Sequence, residues 1–134
     1  MKAKLFTDGG ARGNPGPAGI GYVLDIEGKD ALERGEYIGE TTNNQAEYKA
    51  LIAGLTLAQS EEVSELHCFL DSELVVKQMN GQYRVKHVDM KPLHKEAKRI
   101  AADFTKITFA HVLRSKNEKA DFLVNKAIDA AIGK

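Results

Sequence analysis

The 134-residue chain is poor in cysteine, in proline and in long apolar runs. Its one cysteine, Cys68, excludes an internal disulfide, and the apolar strand pattern around it indicates a buried, reduced thiol in a reducing compartment. No apolar stretch approaches the roughly 20 residues of a membrane-spanning helix. Residues 1–4 enter a strand pattern without the apolar core of a signal peptide. We therefore expect a cytoplasmic protein that has no membrane partner.

The chain also lacks net charge, since 19 basic residues balance 19 acidic ones. Zero net charge argues against nucleic-acid binding by bulk charge alone. The charges are nevertheless unevenly distributed: residues 25–47 hold seven acids and two bases, and residues 77–99 hold seven bases and two acids. This asymmetry fits a polyanion bound on the basic side, and it fits equally well two solvated surfaces of opposite sign. Charge alone leaves both interpretations open.

The order of the predicted elements indicates an α/β fold in a single domain spanning residues 1–134. Three strands come first, and helices and strands alternate afterwards, which predicts a mixed five-stranded sheet with helices on both faces: three antiparallel strands, then two parallel ones. At the start of the first helix, both Thr42 with Gln45 and Asn44 with Glu47 fit a capping box. The predicted strands are 3–7, about 20–26, about 31–39, 65–70 and 107–112, and the predicted helices are 44–59, 72–79, about 92–104 and 118–132.

Four acidic residues, Asp8, Glu47, Asp71 and Asp121, lie where predicted strands or helices begin or end. Asp8 and Asp71 follow strands, and ligands of open α/β sheets gather at the carboxyl ends of parallel strands. Carboxylates collected from separate elements suit Mg²⁺ or Mn²⁺, and two such ions can clamp a phosphoryl group during in-line displacement. Each residue taken singly also fits a turn, a helix cap or a favourable charge at a helix N-terminus.

Four segments carry a resemblance to a known family: Thr7–Gly19, Thr41–Glu47, Asp71–Ser72 and Asn117–Asp121. Their order and spacing resemble the signature blocks of type 1 ribonuclease H over almost the whole chain. The block Thr41–Glu47 and the Gly/Pro-rich stretch after Asp8 are its most specific parts. The resemblance implies an RNase H-like fold.

The resemblance also implies a metal-dependent endonuclease that hydrolyses the RNA strand of an RNA/DNA hybrid without sequence specificity. Its products would be 5′-phosphate and 3′-hydroxyl ends. Two Mg²⁺ or Mn²⁺ ions are implied as cofactors: Asp8 would bridge both, Glu47 and Asp71 would complete one, and Asp121 the other. The RNA/DNA hybrid would be the partner of a protein that we expect to be a monomer.

Substrate contacts are implied at further positions. Asn14, Asn43, Asn44 and Glu73 would lie along the minor groove, where 2′-hydroxyls and base edges distinguish RNA from DNA. Glu73 replaces the glutamine often found there and cannot donate an amide proton. Thr42 would lie near a phosphate of the DNA strand. Other implied substrate-binding residues are Gly9, Gly10 and Arg114, and phosphate contacts are expected at Lys77, Arg84 and Lys86.

The sequence departs from the family pattern in two places. The segment 112–117 lacks the loop histidine that many members carry; His111 precedes it in a strand pattern and is expected to be a packed or surface residue. Arg114 or Lys116 can contribute charge but cannot shuttle protons near pH 7. The chain also has no tryptophan, and its segment 80–91 is too short for the basic extension of some bacterial members. We therefore expect weaker hybrid binding and stronger salt sensitivity, with Tyr83 packed rather than stacking on a base.

Three alternatives stay open at this point. The chain could be a hybrid-binding module without turnover, a nuclease that also cuts double-stranded RNA, or a domain that works beside a polymerase or reverse transcriptase. Four intact acidic residues argue against the first, because without metal ions they would only repel phosphates.

Overall fold

A computed structural model describes residues 1–133, in which a five-stranded sheet is flanked by helices. The strands are β1 (Lys2–Ala11), β2 (Gly16–Ile26), β3 (Leu32–Thr41), β4 (Glu65–Leu70) and β5 (Lys106–His111). The helices are α1 (Asn43–Ser60), α2 (Glu73–Met79), α3 (Lys91–Ala101) and α4 (Glu118–Ile132), with a short 3₁₀ turn at Arg114–Lys116. No helix among residues 1–133 has the length and hydropathy needed to cross a bilayer.

The sheet order is β3-β2-β1-β4-β5, with β1 at the centre. β1 pairs antiparallel with β2 and parallel with β4, while β3 and β5 form the two edges. The predicted mixed sheet, antiparallel in its first half and parallel in its second, is confirmed.

β1 is longer than the sequence pattern predicts. Its pairing with β4 stops at Thr7 opposite Leu70, but its pairing with β2 continues to Ala11 opposite Ala18. The prediction that this strand ends before Asp8 was therefore wrong, because Gly9 and Gly10 continue the β2 ladder instead of making a turn. Asp8 is the first residue of β1 beyond the β4 pairing, where the sheet opens a gap.

The apolar face of α1 is buried, and it covers β1 and β2. Its cap is the pair Thr42 and Gln45: the Gln45 backbone N–H donates to Thr42 Oγ1 at 3.2 Å, and the Thr42 N–H donates to Gln45 Oε1 at 3.4 Å. Because the helix begins at Asn43, the alternative capping box of Asn44 with Glu47 does not form. Glu47 is thereby left free for another role.

α4 lies in a trough that glycines open in β2 and β3. A Cβ added to Gly21 would lie 2.2 Å from the Ala120 carbonyl oxygen, and one added to Gly35 would lie 2.8 Å from the Leu123 carbonyl oxygen. Gly21 is also the residue of β2 that pairs with Asp8. The close approach of α4 to the sheet therefore brings the start of this helix, which carries Asp121, over the gap beside Asp8.

α3 ends at Ala101, three residues before the predicted end. The chain turns there, and Phe104 closes the bottom of the core from the turn with 9% of its surface exposed. Cys68 is fully buried and free, as its sequence context predicts.

Candidate active site

Three carboxylates from three elements meet at the gap in the sheet. Asp8 lies beyond the β4 pairing of β1, Asp71 directly follows β4, and Glu47 lies in the second turn of α1. One oxygen atom from each lies within 4.8 Å of the other two. Asp8 and Glu47 are buried, and Asp71 is partly buried.

Glu47 reaches this point because Gly9 lets α1 approach the sheet closely. A Cβ on Gly9 would lie 2.3 Å from the Ala46 carbonyl carbon, so any larger residue would push the helix away. The Gly9 backbone N–H donates to Glu47 Oε1 at 2.5 Å and fixes the orientation of the carboxylate. Gly9, which the sequence resemblance places among the substrate-binding residues, thus has a structural function at this site.

Asp121 completes the acidic group from the first turn of α4. Its Oδ1 accepts a hydrogen bond from Arg114 Nη2 at 3.1 Å, and Arg114 is 77% exposed. All four predicted acidic residues border one cleft, and Arg114 borders it beside Asp121.

Ionisation of all the carboxylates in this site at once is unfavourable. Burial, reinforced by the charge of Asp71 and by Asp121, raises the pKa of Asp8 to about 7. Burial also raises the pKa of Glu47 well above its usual range, and Asp8 raises it further. The pKa of Asp71 is raised by burial, although the Arg114 guanidinium opposes the shift. Such a cluster becomes stable in its ionised form when a cation neutralises it.

Asn117 belongs to the site although sequence analysis assigned it no role. It is 2% exposed, and its Nδ2 donates to the Thr7 carbonyl oxygen at 2.8 Å, which ties the start of α4 to β1 next to Asp8. Its Oδ1 is buried and has no hydrogen-bond partner among the described residues. The sequence feature that could have identified Asn117 is its position as the first residue of Asn117–Asp121, the last of the four segments that resemble the family.

Two predicted substrate residues, Asn14 and Asn43, are bound to each other. The Asn43 backbone N–H donates to Asn14 Oδ1 at 3.0 Å, and Asn43 Oδ1 accepts from the Ala11 N–H at 2.8 Å. Thr42 caps α1, and Asn44 lies with Thr42 and Asn14 at a second pocket of about 240 Å³.

The predicted phosphate contacts lie apart from the carboxylates. Lys77 Nζ lies 3.6 Å from the Glu73 carboxylate and 4.9 Å from the centroid of the Tyr83 ring. Tyr83 is 48% exposed, and its ring packs against Lys77 at the protein surface. Arg84 and Lys86 border a shallow depression together with Tyr83.

The carboxylates open into a cleft of about 450 Å³. His111, the last residue of β5, is exposed on its wall, so of the two positions predicted, packed or at the surface, the structure has the second. Gly10, Arg12 and Arg114 also border the cleft.

Comparison with known proteins identifies the family to which this chain belongs. The family model described as "Reverse transcriptase-like" matches residues 6–127. Ribonuclease HI of Halobacterium salinarum is 41% identical over 131 residues, which cover 97% of this chain and 66% of the relative. The chain belongs to the type 1 ribonuclease H family.

A second curated relative and a solved structure are also similar to this chain. The bifunctional protein Rv2228c of Mycobacterium tuberculosis is 44% identical over 133 residues, which cover 98% of this chain and 36% of the relative. The chain thus spans about a third of the length of that protein. The crystal structure of LC11-RNase H1 in complex with RNA/DNA hybrid has a TM-score of 0.91 at 46% identity, covering 98% of this chain and 99% of that chain.

Proposed function

We propose that this chain is an endoribonuclease that hydrolyses the RNA strand of RNA/DNA hybrids, leaving 5′-phosphate and 3′-hydroxyl ends, without sequence specificity. The observation that carries the proposal is the meeting of Asp8, Glu47 and Asp71 within 4.8 Å in an open cleft of a ribonuclease H fold. The hybrid complex of the similar LC11-RNase H1 supports the choice of substrate. Monomeric state and cytoplasmic location stay predictions from the sequence.

The donor set fits Mg²⁺ or Mn²⁺. Hard carboxylate oxygens are the ligands these ions prefer, and burial raises the pKa values of Asp8 and Glu47, which supports a bound cation that would favour their ionised forms. The resemblance to type 1 ribonuclease H implies that Asp8 would help to hold both ions. Glu47 and Asp71 would hold one ion, and Asp121 the other. Two bound ions would lower the pKa of the attacking water and neutralise the charge that develops on the leaving 3′-oxygen.

Asn14 and Asn43 would select the RNA strand through their amide N–H groups. The Oδ1 atoms of both residues already accept backbone hydrogen bonds, so their Nδ2 groups are left to donate. Their partners in a hybrid would be acceptors, namely the 2′-hydroxyl oxygen and the minor-groove O2 and N3 atoms of the bases. Thr42 and Asn44, at the neighbouring pocket, would contact the DNA strand and the minor groove.

Arg114 would stabilise negative charge at the position where other family members use a loop histidine. Its hydrogen bond to Asp121 raises its pKa further, so it stays cationic throughout the working pH range. It holds Asp121 and borders the cleft into which a phosphate would enter. Arg114 cannot transfer protons there, so its contribution is electrostatic.

The proposal is tested by cleavage of a 5′-labelled RNA strand alone, paired with DNA, and paired with RNA, each with Mg²⁺, Mn²⁺ or EDTA. We expect metal-dependent cutting of the hybrid by the wild type and none by Asp71→Asn. Asp30→Asn changes an exposed aspartate of the β2–β3 turn and serves as the matched control, with unchanged activity. Absence of cutting by the folded wild type with both metals would leave only a hybrid-binding module.

The duplex RNA sample tests whether the chain also cuts double-stranded RNA. This alternative is favoured by the short connector between α2 and α3, residues 80–90, which contains no helix that could contact the DNA strand. Cutting of both duplexes at similar rates would establish the broader specificity.

A further inference from the structure

Arg12 lies at the tip of the β1–β2 hairpin and contacts α4, more than a hundred residues later in the chain. Its Nη1 donates to Asp129 Oδ1 at 2.5 Å. Its Nη2 lies 3.4 Å from the Asn125 carbonyl oxygen and 3.3 Å from Asn125 Oδ1. The side chain of Arg12 is 34% exposed, and that of Asp129 is 42% exposed.

The same hairpin is held on its other side by the start of α1. The Ala11 N–H donates to Asn43 Oδ1, and the Asn43 N–H donates to Asn14 Oδ1. One residue of α1 thus holds both Ala11, directly before the hairpin turn of residues 12–15, and Asn14 within that turn. The turn is therefore tied to α1 through asparagines and to α4 through Arg12. Only the first of these ties involves residues that the proposed function assigns to substrate.

Asn125 links this contact to the acidic site. Its Nδ2 donates to the Asp121 carbonyl oxygen at 3.0 Å, and Asp121, Asn125 and Asp129 follow one another at intervals of four residues along one side of α4. Arg12 and Asn125 border the cleft that contains the carboxylates.

We propose that Arg12 is a positioning residue: by clamping the hairpin turn to Asp129 and Asn125 of α4, it holds Asn14 and Asn43 in the orientation that receives the hybrid. This inference rests on the proposed function for the identity of the ligand. A turn fixed before binding loses less conformational entropy on binding, so the clamp strengthens substrate binding without contacting the reacting atoms.

If Arg12 clamps the turn, replacing Asp129 by a neutral residue of the same shape changes KM in one direction; if Arg12 contacts a phosphate, the same replacement changes KM in the opposite direction. Arg12→Gln removes a positive charge and Asp129→Asn removes a negative one. If Arg12 acts as a clamp, both variants raise KM for the hybrid by about three- to fivefold, because either change breaks the same pair. If Arg12 instead contacts a phosphate, Asp129→Asn frees it and lowers KM.

The test measures kcat and KM for hybrid cleavage in wild type, both single variants, the double variant and the reversed pair Arg12→Asp with Asp129→Arg. We expect kcat within about twofold of wild type, a double variant no worse than either single one, and partial recovery of KM in the reversed pair. Arg34→Gln, on the exposed edge strand β3, removes the same charge away from the cleft and is the matched control. A lower KM for Asp129→Asn, additive single effects, or a loss confined to kcat would overturn the clamp.

Amide hydrogen exchange separates failure of the clamp from failure of the proposed function. Exchange of the amides of residues 10–16 is measured without nucleic acid, and we expect it to quicken in Arg12→Gln and in Asp129→Asn while exchange in the centre of the sheet is unchanged. Unchanged exchange in the hairpin would overturn the clamp even if the hybrid is cut. If the hairpin amides exchange faster in the two variants but the wild type does not cut the hybrid, the clamp would be upheld and the proposed substrate would be wrong.

Discussion

The acidic cluster and the basic connector of residues 80–90 position their charged groups in opposite ways. Asp8 and Glu47 are buried, and the Gly9 backbone N–H donates to the Glu47 carboxylate. Arg84 and Lys86 are exposed on a segment without a helix or strand. The fold itself concentrates the acids, at a cost in electrostatic repulsion, while the basic groups keep their hydration and their freedom to move. We expect chemistry to depend on the first region and salt-dependent binding on the second.

The largest expected effect is that of Asp8→Asn on turnover. Asp8 lies close to Glu47 and Asp71 and is the proposed ligand of both ions, so its loss would remove a shared ligand. We expect kcat for hybrid cleavage to fall at least about a thousandfold with Mg²⁺. Initial rates at saturating hybrid measure it, with Asp30→Asn as the control. Retention of even a tenth of the activity would show that the cluster is not the catalytic centre.

Gly21→Ala would displace part of the acidic cluster although Gly21 itself contributes no carboxylate. The new methyl group would meet the Ala120 carbonyl oxygen at 2.2 Å, so α4 and Asp121 must shift. We expect a loss of about 3 kcal/mol in the free energy of unfolding, together with a lower kcat. Denaturant unfolding measures the first. Gly10→Ala, whose added Cβ has no neighbour closer than 3.9 Å, should leave the free energy of unfolding nearly unchanged; equal losses in both variants would contradict the close-packing argument.

Arg114 sharpens the contrast because it is an exposed cation that belongs to the acidic site. We expect Arg114→Ala to lower kcat by about tenfold, with a smaller change in KM, since the lost charge faces the cleft. Arg114→Lys keeps the charge without the planar donor pair and should recover part of the rate. Steady-state kinetics of the three proteins decide the matter; a change in KM alone would reassign Arg114 to ground-state binding.

The repulsion within the cluster has a measurable dependence on pH. The pKa of Asp8 is raised from 3.8 to about 7, so the folded protein keeps a proton that the unfolded chain has released over this range. Stability without metal ions should therefore fall as pH rises from about 4 to about 7. We expect Asp8→Asn in EDTA to be more stable than wild type by about 1 kcal/mol or more at pH 8, with the difference shrinking towards pH 4.

Denaturant titrations in EDTA at pH 4.5, 6 and 8 measure this difference. Asp30→Asn supplies the matched control because its side chain is exposed in the fold. An advantage of Asp8→Asn that is the same at every pH would show that ionisation is not its cause. Added Mg²⁺ should erase the advantage at pH 8 by stabilising only the wild type.

The smallest effect is expected in the basic region. Lys86 is exposed, whereas the charge of Lys77 is partly balanced by Glu73 at 3.6 Å. If both lysines contact phosphates, Lys86→Ala should reduce the slope of log K against log salt by about 0.9, and Lys77→Ala by less. Hybrid binding between low and moderate salt measures both slopes. Identical slopes in Lys86→Ala and wild type would exclude Lys86 from the interface.

Sequence patterns predicted the sheet topology and the meeting of the four acidic residues, because strand ends and helix starts are marked by local residues. The sequence patterns failed to predict places where the backbones of two segments distant in sequence lie in close contact. The first strand was predicted to end at residue 7, although Gly9 and Gly10 continue β1 along β2. The trough for α4 depends on glycines of two strands that face a helix about a hundred residues later, and no local periodicity reveals such a contact. Arg12 and Asn117 were missed for the same reason, since their partners lie 117 and 110 residues away.

The burial of Cys68 makes the chain a convenient host for a spectroscopic label. Its thiol has no exposed surface and a pKa raised by burial, so it reacts slowly with maleimide dyes in the folded protein. A cysteine introduced at the exposed Ser115, next to Arg114, would then be the one thiol that takes up dye readily. The fluorescence of that dye would report the arrival and departure of nucleic acid at the cleft in real time, without removal of the native cysteine.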